Sequence, residues 1–173
     1  DLILLGVAAE YGNYSSDMTR TIPVSGVFSV RQKAVYEAVL KVKKEATKLL
    51  VPGTLWKEYH IEVGKIMTSE LVGLGLLDKA ELQNESIDHP AYKKYFMHGT
   101  SHHMGLDTHD YGLLHLPIEA QMVFTVEPGI YIPEEGFGVR LEDDVVIQEQ
   151  GEPLNLMADI PIEIEAIESH MNP

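Results

Sequence analysis

Two strand-length apolar runs, Leu2 to Tyr11 and Tyr14 to Val24, are separated only by Gly12-Asn13. Gly-Asn between such runs reads as a two-residue hairpin turn, because the turns that match the twist of paired strands need positive φ. Closing the turn with Tyr11 opposite Tyr14 fixes the register. Gly6 then faces Thr19, and Asp17 is its diagonal neighbour on the same face. An antiparallel hairpin is the first element this chain must build.

The next segments change period. Ser29 is placed to cap a helix running to about Leu50, with Val35, Val39, Val42, Ala46 and Leu49 on one stripe, and Pro52-Gly53 breaks it. Thr54 is expected to cap a second helix that carries Leu55, Tyr59, Val63, Ile66 and Leu71 and stops at Gly73-Leu-Gly75. Residues 78–93 are polar and read as a loop. Met122 to Ile132 and Gly138 to Ile147 read as two strands joined through Pro133 to Phe137. Pairing Ile132 with Gly138 would set Glu127 opposite Asp143, so a bulge at Pro128-Gly129 is expected to return Glu127 and Glu142 to one face. Asp159 with Pro161 is expected to start a last helix through Ile167. Helices in their own block and strands in theirs define an α+β class, with the helices packed on one face of an antiparallel sheet.

Composition narrows the chemistry. With 27 acidic against 13 basic residues the formal charge is −14, which makes nucleic acid and anionic membranes poor partners. The absence of cysteine excludes disulfides and thiolate metal sites. No apolar run is long enough to span a membrane and no signal peptide is recognisable, so the expected location is cytoplasmic. A length of 173 residues with 45% apolar composition supports one domain. The chain opens at Asp1 without a methionine and inside a strand pattern, and the expectation is that it is a fragment. A sheet edge and apolar surface left uncovered in that way predict self-association into a homo-oligomer.

The segment His98-Gly-Thr-Ser-His102-His103-Met-Gly-Leu-Asp-Thr-His109-Asp110 is too polar and too punctuated by glycine for a core helix. Glu127 and Glu142 lie in strand patterns, where acidic residues are disfavoured unless a cation compensates them. Carboxylates at 17, 127 and 142 together with one imidazole form a mixed oxygen and nitrogen donor set, suited to hard or borderline divalent metals. Arg140, two residues before Glu142, shares its strand face and is expected to orient or neutralise carboxylates. Asp143 and Asp144 read as strand-end solvation, with a ligand role for either as the alternative if the register is shifted, and His103 as a neighbour without a role of its own.

Ser15-Ser-Asp17-Met-Thr-Arg20-Thr21, the histidine segment, Thr125-Val-Glu127-Pro-Gly129 and Val139-Arg140-Leu-Glu142-Asp143-Asp144 occur in an order that resembles the pita-bread (creatinase/aminopeptidase-like) metallopeptidases, over about Leu2 to Glu168. Within that family the motifs look most like aminopeptidase P, with prolidase as the nearest alternative. The resemblance implies that residues 1–173 are part of a metallopeptidase catalytic domain whose N-terminal part is missing, with a curved antiparallel sheet and helices on its convex face. It implies Asp17, His102, Glu127 and Glu142 as metal ligands, Glu127 also as the proton shuttle, and His98, His109 and Arg140 as groups that position the substrate and stabilise charge. The cofactor it implies is a pair of divalent ions, manganese foremost, with cobalt or zinc as alternatives. The reaction it implies is release of the N-terminal residue from a peptide substrate with proline second.

One position departs from the family pattern. Eleven residues before Asp17, where relatives carry a metal-binding Asp, this chain has Gly6, which offers no side-chain ligand. An empty or singly occupied centre is therefore expected. A second reading stays open beside the peptidase: a non-catalytic or metal-free protein of the same fold that binds a peptide or a protein partner.

Overall fold

In a computed structural model, residues 1–86 and 89–172 are described. The N-terminal hairpin forms as its turn dictates. Strands β1 (Leu2–Val7) and β4 (Met18–Pro23) pair with Gly6 opposite Thr19. The tip is made by the short strands β2 (Glu10–Tyr11) and β3 (Tyr14–Ser15), with Tyr11 opposite Tyr14. Gly12 and Asn13 take φ of 59° and 68°, which is the primed geometry this turn requires.

Helix α1 (Val30–Leu49) starts with Ser29 and Gln32 in a reciprocal capping box and buries Val35, Val39, Val42 and Ala46. Helix α2 (Trp56–Gly73) packs on α1 and buries Tyr59, Val63, Met67 and Leu71. Thr54 does not cap it. Leu55 is the N-cap, and the Thr54 hydroxyl instead donates to Leu49 O at 3.1 Å, closing the end of α1. The expected loop over 78–93 contains a short helix α3 (Lys79–Gln83), held by an Asp78–Glu81 capping box, and a 3₁₀ turn at Ala91–Lys94. Residues 87 and 88 of that stretch lie outside the described residues.

The C-terminal half is strand-built. β5 (Val123–Val126) pairs with β8 (Asp143–Val146), which also pairs with β9 (Leu154–Asn155), and β6 (Gly129–Ile132) pairs with β7 (Phe137–Arg140). The expected bulge is absent. The turn closes one residue early, on Ile132 opposite Phe137, and the same register runs through Gly129–Arg140 and Val126–Asp143, so Glu127 and Glu142 fall across from each other. A 3₁₀ turn over Pro133–Glu135, ended by Gly136 at φ 72°, makes that early closure possible. The last helix, α4 (Ile164–Met171), begins after Glu163, later than expected, and the carbonyls of the preceding Pro161 and Ile162 accept hydrogen bonds from Arg20 Nε and Tyr36 OH instead of from a helical turn.

The strands form separate ladders rather than one uninterrupted sheet. The β1–β4 pair meets the C-terminal strands at an isolated bridge between Thr19 and Glu142. Helix α1 touches β5, β6 and β7. Its Lys43 reaches Asp143, which points to the opposite side of β8 from Glu142 and Asp144, so the helices cover the face turned away from the carboxylates. Tyr36, Val39, Tyr59, Phe96, Phe124, Ile130 and Leu141 join in one core between the layers. Among the described residues no helix is long and apolar enough to cross a membrane.

Candidate metal centre

The ladder opens where the site lies. Glu127 N–H donates to Thr100 O at 2.7 Å, and Glu142 exchanges backbone hydrogen bonds with Thr19 at 3.0 and 3.4 Å. Both glutamates thus leave their mutual pairing for other elements, and their carboxylates turn inward. Asp17, His102 and Glu142 each offer one ligand atom, all within 4.8 Å of one another. Glu127 joins them through His102, whose Nε2 lies 3.6 Å from Glu127 Oε1 and 3.9 Å from Asp17 Oδ2. Two of the four candidate ligands come from the ends of strands at a ladder break, one from the residue preceding β4, and one from the glycine-punctuated segment.

The orientation of His102 follows from its neighbours. Its backbone is fixed by a reciprocal pair of hydrogen bonds with Thr125, His102 N to Thr125 Oγ1 and Thr125 N to His102 O, both 3.1 Å. Its Nδ1 lies 3.0 Å from His103 O, which can only accept, so Nδ1 carries the hydrogen and the Nε2 lone pair faces the carboxylates. The His109 ring stacks on it with centroids 4.2 Å apart. Burial lowers the pKa of His102, which favours the neutral ring that a metal requires.

The carboxylates are strained in charge. Burial, then the charge of Glu142, pushes Glu127 up to about 8. Burial also raises Glu142, whose Oε2 accepts from Thr19 Oγ1 at 2.6 Å while Oε1 is buried without a partner. Asp144, expected at a solvated strand end, is instead 1% exposed; its Oδ2 accepts from Asp17 N–H at 3.0 Å and burial pushes it up to about 7. Asp143 is equally buried, between Arg20 and Lys43. An orphaned buried carboxylate oxygen beside a lone pair of imidazole and two further carboxylates is the fit a divalent cation would complete.

The remaining residues frame this centre. Arg140 Nε donates to Thr19 Oγ1 at 2.9 Å and lies 3.9 Å from Glu142 Oε2, making Thr19 a relay between guanidinium and carboxylate. A Cβ on Gly6 would stand 3.7 Å from Arg140 Nη2, in ordinary contact. His98 is not among the ligands. Its Nδ1 donates to Gly99 O at 2.8 Å, and its Nε2 accepts from Tyr131 OH at 2.7 Å. His103 turns away, stacking on Trp56 and Phe124 as packing. The sequence assigns no site role to Thr19, Thr125 or Tyr131, and Asp144, expected at a solvated strand end, stands two residues from Glu142 and so shares its face.

Carboxylates and one imidazole gathered at the ends of antiparallel strands form a donor set that could hold a divalent metal. The sequence profile of metallopeptidase family M24 matches residues 1–149, and the chain belongs to that family. It is 44% identical over 184 aligned positions to the Xaa-Pro aminopeptidase of Haemophilus influenzae, covering 99% of this chain and 42% of that protein. It is 43% identical to the Xaa-Pro aminopeptidase of Escherichia coli K12, covering 96% and 41%. Among solved structures, aminopeptidase PepP of Pseudomonas aeruginosa superimposes with a TM-score of 0.89 at 41% identity, over 99% of this chain and 41% of that one. A zinc-substituted E. coli aminopeptidase P in complex with product gives 0.87 at 43% identity, over 99% and 41%. The fold is the pita-bread fold. The chain spans about two fifths of the length of these relatives, which give no support to the metal-free or partner-binding alternative.

Proposed function

We propose that this chain carries the metal centre of an Xaa-Pro aminopeptidase, releasing the N-terminal residue from peptides whose second residue is proline. The observation that carries this reading is the convergence of ligand atoms from Asp17, His102 and Glu142 within 4.8 Å, with Glu127 adjoining. The names of the relatives support the substrate class. Asp17, His102, Glu127 and Glu142 are the ligands, and manganese is the preferred ion, with cobalt or zinc as alternatives. Divalent ions held there would lower the pKa of water and polarise the scissile carbonyl.

The protein's own groups do the rest. Glu127, whose carboxylate is made more basic than usual by burial and by the charge of Glu142, is suited to take a proton from water and return it to the departing amine. His109 braces the His102 ring, and His98, fixed by Tyr131, offers an edge to the substrate. Arg140 offsets carboxylate charge through Thr19. With glycine at position 6, three acidic ligands face the ions, and one bound ion per chain is the expected stoichiometry.

The test is metal content by mass spectrometry and manganese titration by calorimetry, paired with cleavage of an Xaa-Pro peptide. One ion per chain is expected, lost in His102→Ala and Glu142→Gln, with cleavage abolished by chelation. A chain that takes up no divalent ion, or cleaves equally well in chelator, would overturn the reading.

A further inference from the structure

Behind the carboxylates lies a second charged cluster that the ligand set does not use. Arg20, Lys43 and Asp143 are 5%, 5% and 1% exposed, two cations and one anion removed from water. Arg20 Nη2 lies 2.7 Å from Asp143 Oδ1, and Lys43 Nζ and Asn155 Nδ2 converge on Asp143 Oδ2. Such a group is a poor source of stability for its own sake, since the desolvation of three charges offsets much of their attraction. Its geometry points elsewhere.

Arg20 Nη1 donates to Thr19 O at 3.0 Å and to Glu142 O at 2.7 Å. These are the two carbonyls of the bridge at which the hairpin meets the C-terminal strands. Arg20 Nε donates in addition to Pro161 O at 2.9 Å. One planar guanidinium therefore spans the junction between the element that carries Asp17 and the strand end that carries Glu142. Thr19 repeats the clamp on the other face, where its hydroxyl donates to Glu142 Oε2. Lys43 touches Asp143 but neither of the bridge carbonyls.

We infer that Arg20 is a positioning residue for the metal centre: it locks the Thr19–Glu142 bridge and thereby sets the separation of Asp17 from Glu142. The inference rests on the metal-centre reading above. Asp143 orients the guanidinium, and Lys43 balances Asp143 without reaching the bridge. A lysine at 20 would keep the charge but not the fork that reaches both carbonyls and Asp143 at once.

The experiment compares Arg20→Lys and Arg20→Gln with Lys43→Met in the full chain, by manganese titration calorimetry and by amide hydrogen exchange at Thr19 and Glu142. Both Arg20 variants should bind Mn²⁺ about tenfold or more weakly, the usual cost of disturbing an outer-shell partner. They should also exchange the two bridge amides about tenfold faster, while those of β6 and β7 are unchanged. Lys43→Met should melt at lower temperature yet leave Mn²⁺ affinity and the bridge amides as they are. Wild-type affinity in both Arg20 variants, or an equal loss in Lys43→Met, would overturn the inference, as would failure of both Arg20 variants to fold while Lys43→Met folds. If the unmodified protein binds no Mn²⁺, Co²⁺ or Zn²⁺, the metal-centre reading fails on its own, and amide exchange alone decides whether Arg20 locks the bridge.

Discussion

Gly6 and Arg140 together set the charge of the centre. A Cβ at position 6 would stand in ordinary contact with the Arg140 guanidinium, where φ is negative, so the first side-chain atom of Gly6→Asp meets no steric obstacle. It should raise divalent-ion content toward two per chain and increase cleavage of an Xaa-Pro peptide, and Glu127→Gln in the same background should cancel the gain in cleavage. If wild type cleaves as fast as Gly6→Asp, the inference from the missing carboxylate is wrong. Glu127 makes a second point testable. Its carboxyl is pushed from 4.5 to about 8, so the metal-free native state holds a proton that the unfolded chain has released. That contribution is full below about pH 4.5 and is lost as pH rises through about 8. The histidines lowered by burial act oppositely, but below the imidazole's ordinary 6.5. Chelated protein should therefore lose about 1–2 kcal/mol between about pH 6.5 and 8.5 in urea melts. Saturating Mn²⁺ should remove that loss, whereas chelated protein that gains stability over this range would rule the explanation out. The candidate ligands at 17, 102, 127 and 142 were legible as candidates because their residue types sit where strands and glycine-rich loops rarely place them. Thr19 and Asp144 were not, because a buried hydroxyl and one more acid beside Glu142 look ordinary until the hairpin is docked.

At the scale of elements, the two turns show what a sequence does and does not specify. Gly12-Asn13 admits one tight turn, so the β1–β4 register could be read directly and places Gly6 opposite Thr19. Pro133 to Phe137 admits closures differing by one residue, and the apolar alternation on either side fits both. The choice is made by the 3₁₀ turn ending at Gly136, and it brings Glu127 across from Glu142 without any bulge. Thr54 is ambiguous for a similar reason, since one hydroxyl between two helices can serve either end. The histidine segment has its own constraint in Gly112, where an added Cβ would fall 1.8 Å from His103 Cδ2. Gly112→Ala must displace the His103 ring from its seat against Trp56 and Phe124, costing about 1–3 kcal/mol. The disturbance should reach the centre, because the His103 carbonyl holds His102 Nδ1. Melting and Mn²⁺ affinity should fall together in this variant, and unchanged values of both would show that the loop accommodates the methyl freely.

For the whole molecule, the outward face of β1 is the feature left without a covering element. Ile3, Leu5 and Val7 are 43%, 40% and 51% exposed, and Leu5 and Val7 line an apolar hollow of about 240 Å³ with Met18, Ile22, Ile167 and Met171. Among the described residues β1 has β4 as its one ladder partner, so its other edge presents free backbone donors and acceptors beside that apolar face. Between Leu2 and Val7 there is no charge and no proline, the devices by which edge strands usually discourage pairing. Opposing association is the net charge of −14, which makes two copies repel at long range. The balance should shift with salt, because screening shortens the repulsion to roughly 8 Å at physiological ionic strength and to about 3 Å near 1 M while the apolar term persists. Light scattering should thus report self-association that grows with both protein and salt concentration. Ile3→Lys should return the chain to monomer without touching the metal centre, since Ile3 pairs with Ile22 rather than with Arg20 and its side chain alternates to the face opposite Gly6. A monomer that persists at high protein concentration in both low and high salt would mean that the uncovered edge recruits no second copy.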